Sequence, residues 1–193
     1  MLVAPRPVLL MDRDGVLNQI VVDPEQGTIG SPLHPDQVQV FPWLPQVLLR
    51  LHHAGWRLAV VSNQPAAAKG QTTMDNLQRT HARVMEIAQS AGAELRSFVC
   101  WHKSEDACRC RKPRTGLLED ALRELGEGVE PGACWMVGDG VTDVQAGVAL
   151  HLQTAFLGAQ KCDACQVFRV RGVYPTQWAS NLQEFAATLL KDK

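Results

Sequence analysis

The 193-residue sequence predicts an α/β protein built on a doubly wound parallel sheet. Strand-like and helix-like stretches alternate along the whole chain. The strand-like stretches are short apolar runs, as expected of strands buried on both faces. Several of these runs stop abruptly on polar residues: Val8–Met11 on Asp12, Arg57–Val61 on Ser62 and Asn63, and Cys134–Gly138 on Asp139. In parallel sheets ligands collect beyond the carboxyl ends of the strands, so the polar endings are the candidate site.

The elements follow in order. Val8-Leu9-Leu10-Met11 is an interior strand, and Gly15 lets the backbone turn sharply after Asp12 and Asp14. Residues 19–39, rich in Pro, Gly and Asp, read as a loop or small cap over the site. Leu44, Val47, Leu48 and Leu51 share one face of a helix over Leu44–His53, stopped by Gly55. Arg57–Asn63 is a strand, Thr72–Ala91 a longer helix with Thr72 and Asp75 as a loose capping box, and Ser97–Cys100 a further strand. Leu117, Leu118, Ala121, Leu122 and Leu125 mark a short helix closed by Gly126. Cys134–Asp139 is a strand with Cys134 in the core, followed by a helix over Thr142–Ala149 and a strand over Gln153–Leu157. Ser180-Asn181-Leu182-Gln183 forms a capping box for a last surface helix, while residues 161–174 give no clear pattern.

The length suits one domain over 1–193 with a sizeable core. An apolar content of 46% and a charged content of 20% are ordinary for a globular protein. A formal net charge of −1 argues against a nucleic-acid partner. No apolar run approaches the ~20 residues of a membrane span, and Val8–Met11 is too short for a signal segment. The expected setting is therefore the cytoplasm, with no membrane partner and a monomeric chain. The six cysteines read as metal ligands or core thiols before disulfides.

If the sheet is parallel, Asp12, Asp14, Ser62, Asn63 and Asp139 project from one edge. Two neighbouring carboxylates repel unless a cation or a proton shares the place. Asp139 and Asp12, with a backbone carbonyl, suit the hard oxygen shell of Mg²⁺. Ser62 and Asn63 suit phosphoryl oxygens, Lys112 offers a balancing point charge, and Asp143 lies where it can orient the metal shell.

Asp12-Arg13-Asp14-Gly15-Val16-Leu17-Asn18, Ser62-Asn63-Gln64, Arg111-Lys112-Pro113 and Gly138-Asp139 with Asp143 resemble the four ordered motifs of the haloacid dehalogenase-like phosphatases. The resemblance implies Asp12 as the nucleophile that forms an aspartyl-phosphate and Asp14 as general acid and then base. It implies Ser62 as phosphoryl binder, Lys112 as the stabilising cation, and Mg²⁺ held by Asp12, Asp14 and Asp139. Asp14 must be protonated in the first step, so its surroundings are expected to raise its pKa.

Cys100, His102, Cys108 and Cys110 supply three thiolates and an imidazole, a closed four-coordinate shell of the structural Zn²⁺ type. This loop over 100–110 would pin Arg111 and Lys112. It resembles the zinc loop of the subgroup that includes heptose 1,7-bisphosphate and histidinol-phosphate phosphatases, which carry little or no cap. The resemblance implies a small phosphorylated metabolite as substrate, with Asn63, Lys69 and Arg111 as contacts and the 7-phosphate of the heptose as the leading target. Histidinol phosphate is the alternative, and a phospho-acceptor signalling domain is the alternative of another class. Gly140, Pro65-Ala66, Lys69 and Ile20-Val21-Val22 depart from the heptose enzymes' pattern at positions that bear on substrate recognition. Cys162 and Cys165 make half a metal site or a redox pair, or neither, and the other histidines, His81 among them, show no ligand spacing.

Overall fold

The computed structural model describes residues 6–23, 27–158 and 162–191, leaving out the side chains at 23, 28 and 162–164. Strands β1 (Val8–Met11), β4 (Arg57–Asn63), β5 (Leu95–Cys100), β6 (Trp135–Gly138), β7 (Gln153–Leu157) and β8 (Gln177–Ala179) form one sheet in the order β5-β4-β1-β6-β7-β8. Every neighbouring pair runs parallel. The chain leaves β1 toward β4 and β5, then crosses back to place β6, β7 and β8 on the other side. The connections after β1 and β6 therefore diverge, and a crevice opens between them. Asp12 and Asp139 each follow directly on one of those two strands.

Four consecutive apolar residues make β1 because both of its faces are covered. Leu9 and Met11 pack with Leu44, Leu48 and Leu51 of α1 (Leu44–His53) and with Phe185 of α6 (Leu182–Lys191). Val8 and Leu10 pack on the opposite layer with Leu117, Leu118 and Ala121 of α3 (Gly116–Leu125) and Ala146 of α4 (Val141–Ala149). Cys134 is buried in this second layer, as expected. At about 25 cal/mol per Å² of apolar surface, such two-sided burial outweighs any local preference of a four-residue segment.

Several boundaries differ from the sequence-based expectation for identifiable reasons. Helix α2 spans Met74–Ala88 and is capped by Thr73, whose Oγ1 accepts from the Asn76 amide at 3.2 Å. Thr72 instead donates its hydroxyl to the Leu33 carbonyl at 3.3 Å, tying the 19–39 segment to the body. That segment contains an antiparallel hairpin of β2 (Val21–Asp23) and β3 (Thr28–Gly30). Strands of three residues give too few positions for alternation to show. The last capping box lies one residue later than expected: Asn181 Oδ1 accepts from the Glu184 amide and Glu184 accepts from the Ser180 amide. Helix α5 (Cys162–Arg171) occupies the segment at 161–174 that gives no clear pattern, and β8 follows just beyond it, with Phe168 packed against Phe156 and Trp178. The Cys162 side chain lies outside the described residues, and the Cys165 side chain is exposed.

His81 on α2 is buried edge-on against Trp101, and neither ring nitrogen has a hydrogen-bond partner among the described residues. Burial, and then the nearby Arg13 cation, push its pKa down to about 4 against a smaller opposing pull from Asp14. The unfolded chain therefore binds the extra proton between pH 6.5 and about 4, and the folded state loses stability as pH falls through that window. Replacing His81 with Leu should remove on the order of 2 kcal/mol of the stability lost between pH 7.5 and pH 5. Urea unfolding of the two proteins at both pH values measures it; parallel losses would contradict it.

Candidate active site

Lys112 is the centre of the strand-end cluster. Its ammonium is buried and lies 3.1 Å from Asp12 Oδ1, 2.6 Å from Asp143 Oδ1 and 2.7 Å from the Val61 carbonyl. Burial alone would lower its pKa, but the two carboxylates outweigh this and hold it above the usual lysine value. Asn63 fixes the Lys112 backbone from the end of β4: Asn63 Oδ1 accepts from the Lys112 amide and Asn63 Nδ2 donates to the Lys112 carbonyl, both at 3.0 Å. This corrects the expectation for Asn63. Its amide holds Lys112 rather than standing free for a substrate.

Asp12, Asp139 and Asp143 each bring a carboxylate oxygen within 4.8 Å of the others, close enough for one small cation. Loss of surrounding water and then the like charges of Asp12 and Asp143 push Asp139 up to about 7. Burial pushes Asp143 up to about 6, although Lys112 opposes the rise. Crowded carboxylates with raised pKa values are the donor set that a divalent cation relieves, so these residues fit Mg²⁺. Asp143 belongs to the cluster itself and also accepts from the Gly140 amide at 3.0 Å, which starts α4. The crevice admits these carboxylates only because two neighbours lack a Cβ. One on Gly15, whose φ is +75°, would lie 2.1 Å from Asp139 Oδ2, and one on Gly138 would lie 2.1 Å from Asp143 Oδ2.

Asp14 is placed differently from the expectation in two respects. Its carboxylate does not join the metal-capable cluster. It is taken by Arg13, by Asn18 Nδ2 at 2.9 Å and by Gln64 Nε2 at 2.7 Å. Nor is its pKa raised. Burial pulls it up, but the Arg13 guanidinium and hydrogen bonds from Asn18, Gln64 and Ser31 outweigh burial and hold it below the usual carboxylate value. Ser62 is buried beside Asp14, and its Oγ accepts from Gln64 Nε2 at 3.0 Å. Arg13 and Gln64 were not singled out as site residues. The only signal was their position, one between the two aspartates and the other directly after Ser62-Asn63.

The cysteine loop closes as its spacing suggests. Cys110 Sγ lies 3.2 Å from Cys100 Sγ, 3.4 Å from Cys108 Sγ and 3.3 Å from His102 Nδ1, and Cys100 lies 3.6 Å from both Cys108 and His102. Ligands at 2.3 Å from a tetrahedral zinc stand about 3.7 Å apart, so the four atoms fit that shell with little adjustment. Arg111 Nη1 donates to the His102 carbonyl at 3.3 Å, which ties the loop to the segment bearing Lys112.

Lys69 is exposed and lines a cavity of ≈ 630 Å³ between the β2–β3 hairpin and the loop after β4. Apolar Val21, Ile29, Leu33, Pro65 and Ala66 share that cavity's wall with polar Ser31, Gln37 and Gln71, and Gln64 connects it to Asp14.

Residues 9–151 match the model of the haloacid dehalogenase-like hydrolases. The D-glycero-β-D-manno-heptose-1,7-bisphosphate 7-phosphatase of Pseudomonas aeruginosa is 33% identical over 165 residues, covering 81% of this chain and 83% of that enzyme. The histidine biosynthesis bifunctional protein HisB of Legionella pneumophila is 30% identical over 72% of this chain and 37% of that protein. Among solved structures, D,D-heptose 1,7-bisphosphate phosphatase from B. bronchiseptica, complexed with magnesium and phosphate, superposes with a TM-score of 0.79 at 26% identity, covering 97% of this chain and 99% of that one.

The purified protein should carry about one zinc per chain, and Cys108→Ser should lose it. A resulting loss of about 3 kcal/mol would lower the melting midpoint by roughly 6–12 °C. Metal analysis with differential scanning calorimetry checks both; an unchanged midpoint in a zinc-free variant would show that the loop needs no metal.

Proposed function

Because this chain belongs to the haloacid dehalogenase-like hydrolase family, we propose that it is a phosphatase that removes the 7-phosphate of D-glycero-D-manno-heptose 1,7-bisphosphate. The observation that carries the reading is the meeting of Asp12, Lys112, Asp139 and Asp143 at the sheet's switch point, beside a cavity of sugar-phosphate size.

In the proposed reaction an Asp12 carboxylate oxygen attacks phosphorus while the bond to the ester oxygen breaks. The proton that the departing alkoxide needs comes from Asp14. Water then attacks the aspartyl-phosphate, gives its proton to Asp14 and releases phosphate, and the Asp12 carboxylate is restored. The resting hydrogen bonds around Asp14 suit the second, basic role. An arriving phosphate dianion places like charge nearby and moves Asp14 toward the protonated form that the first step needs.

Lys112 offsets negative charge on Asp12 and on the transferring phosphoryl group at a site that burial shields from water. The Ser62 hydroxyl, whose oxygen accepts from Gln64, would donate to a phosphoryl oxygen. Asp12, Asp139 and Asp143 would hold Mg²⁺, which when bound supplies charge neutralisation at the phosphoryl oxygens. Splitting hydrolysis into two displacements replaces one difficult step by two easier ones. The adjacent Asp14 also disfavours the signalling alternative, which needs a long-lived phosphoaspartate.

Histidinol phosphate is the second reading, because a histidine-biosynthesis protein is among the relatives and Lys69 is the one cation among the described residues that line the cavity. A bisphosphate would ask more of that single charge than a monophosphate does. The relevant partner in either case is a small phosphorylated metabolite, and a single-domain cytoplasmic monomer over 1–193 is part of the same proposal. No helix among the described residues is long and apolar enough to cross a membrane.

Asp12→Asn should abolish Mg²⁺-dependent phosphate release, by about 10³-fold or more, while the circular dichroism spectrum stays native. Near-normal turnover would remove Asp12 as nucleophile. Comparing kcat/KM for the heptose bisphosphate and histidinol phosphate then separates the two substrates: the first should exceed the second by at least about tenfold, and the reverse order would overturn the substrate assignment.

A further inference from the structure

Arg13 lies between Asp12 and Asp14 with its side chain wholly buried. Removing a guanidinium from water costs several kcal/mol, and replacing a buried ion pair by apolar side chains is often neutral or stabilising. Stability alone is a poor reason to keep such a residue here. Its hydrogen bonds suggest another. Nη2 reaches both Asp14 oxygens at 3.1 Å and Gln64 Oε1 at 2.8 Å, while Nε reaches Asp14 Oδ1 at 3.2 Å.

Gln64 is also buried, and its Nε2 spends its donors on Asp14 Oδ2 at 2.7 Å and Ser62 Oγ at 3.0 Å. The Arg13 backbone is equally constrained. Its amide donates to Asp12 Oδ1 at 2.7 Å, and its carbonyl accepts from Leu17 at 2.8 Å and Asn18 at 3.2 Å. One residue thus touches both aspartates, and one amide side chain joins Asp14 to the hydroxyl beside it.

We infer that Arg13 and Gln64 are positioning residues that hold Asp14 on the leaving-group side in a fixed relation to Ser62. The inference rests on the phosphatase reading above and adds how the proton donor is aimed. A carboxylate bound by a planar fork has little freedom to rotate, unlike one bound by a lysine. Serine and aspartate linked through one glutamine keep their spacing when the substrate arrives. A misplacement of about 1 Å at a reacting group can cost about 10²-fold in rate, enough for the clamp to matter.

The test uses two esters that differ in their need for the proton. An alkyl ester, the 7-phosphate of the heptose bisphosphate, leaves as a poor alkoxide and depends on the acid; p-nitrophenyl phosphate leaves readily without it. Single-turnover release of the alcohol and steady-state KM are measured for the wild-type chain, Arg13→Lys and Gln64→Met, with circular dichroism as the check on folding. Both variants should lose about 10²-fold with the alkyl ester and less than about threefold with the aryl ester, with KM within about threefold of wild type. Gln64→Met leaves no buried charge unpaired, so it decides the matter if Arg13→Lys does not fold.

Equal losses for the two esters in folded variants would overturn the inference. So would a rise in KM alone, which would make Gln64 a substrate contact. Failure of the wild-type chain to release alcohol from either ester would overturn the phosphatase reading and this inference with it.

Discussion

The buried ammonium of Lys112 is the constraint around which the site is arranged. Three carboxylates meet at the crevice between β1 and β6, and like charges at that spacing repel strongly where water is scarce. Lys112 lies within ion-pair distance of two of them and is anchored from behind by the Val61 carbonyl. Its backbone is held in turn by Asn63, and the segment that bears it leaves the cysteine loop at Cys110. A structural metal in that loop is therefore coupled to the chemistry through geometry, not through coordination of the substrate. The same dependence explains why the chain commits an amide side chain at the end of β4 to the main chain of a residue 49 positions away.

The site divides its acids by environment. On one side of Asp12, Asp139 and Asp143 are crowded and raised to about 7 and about 6, the condition that a divalent cation relieves. On the other side Asp14 is wrapped by Arg13, Asn18 and Gln64 and held low. In the proposed reaction, carboxylates of one chemical type would thus take separate tasks, metal binding and proton transfer, according to what surrounds them. The two glycines that leave room for Asp139 and Asp143 belong to the same arrangement, since a methyl group at either position would occupy the carboxylate's place.

Much of this was legible in the sequence because it depends on strand ends. The interior strands β1, β4 and β6 declare themselves as apolar runs, and in a parallel sheet the residue after each run must face the same edge. Asp12, Ser62 and Asp139 follow from that rule, and Lys112 from its motif. The four-ligand cysteine loop was legible for a different reason: its ligands are close in sequence, so spacing stands in for geometry. What escaped depends on contacts between distant residues. Whether Asn63 meets a substrate or the Lys112 backbone is decided across 49 positions, and whether Asp14 is raised or lowered is decided by Arg13 and Gln64 together. The β2–β3 hairpin and α5 escaped because short or irregular patterns carry little periodicity, and their places come from tertiary packing.

Asp12, held by Lys112, is the proposed nucleophile toward phosphorus. Stopping the reaction in acid within the first turnover and mapping bound phosphate by peptide mass spectrometry shows which residue is phosphorylated. Phosphate is expected on the peptide containing residues 8–18, localised to Asp12. Phosphate on any other residue, or rapid turnover with no covalently bound phosphate at any time point, would rule Asp12 out as the nucleophile.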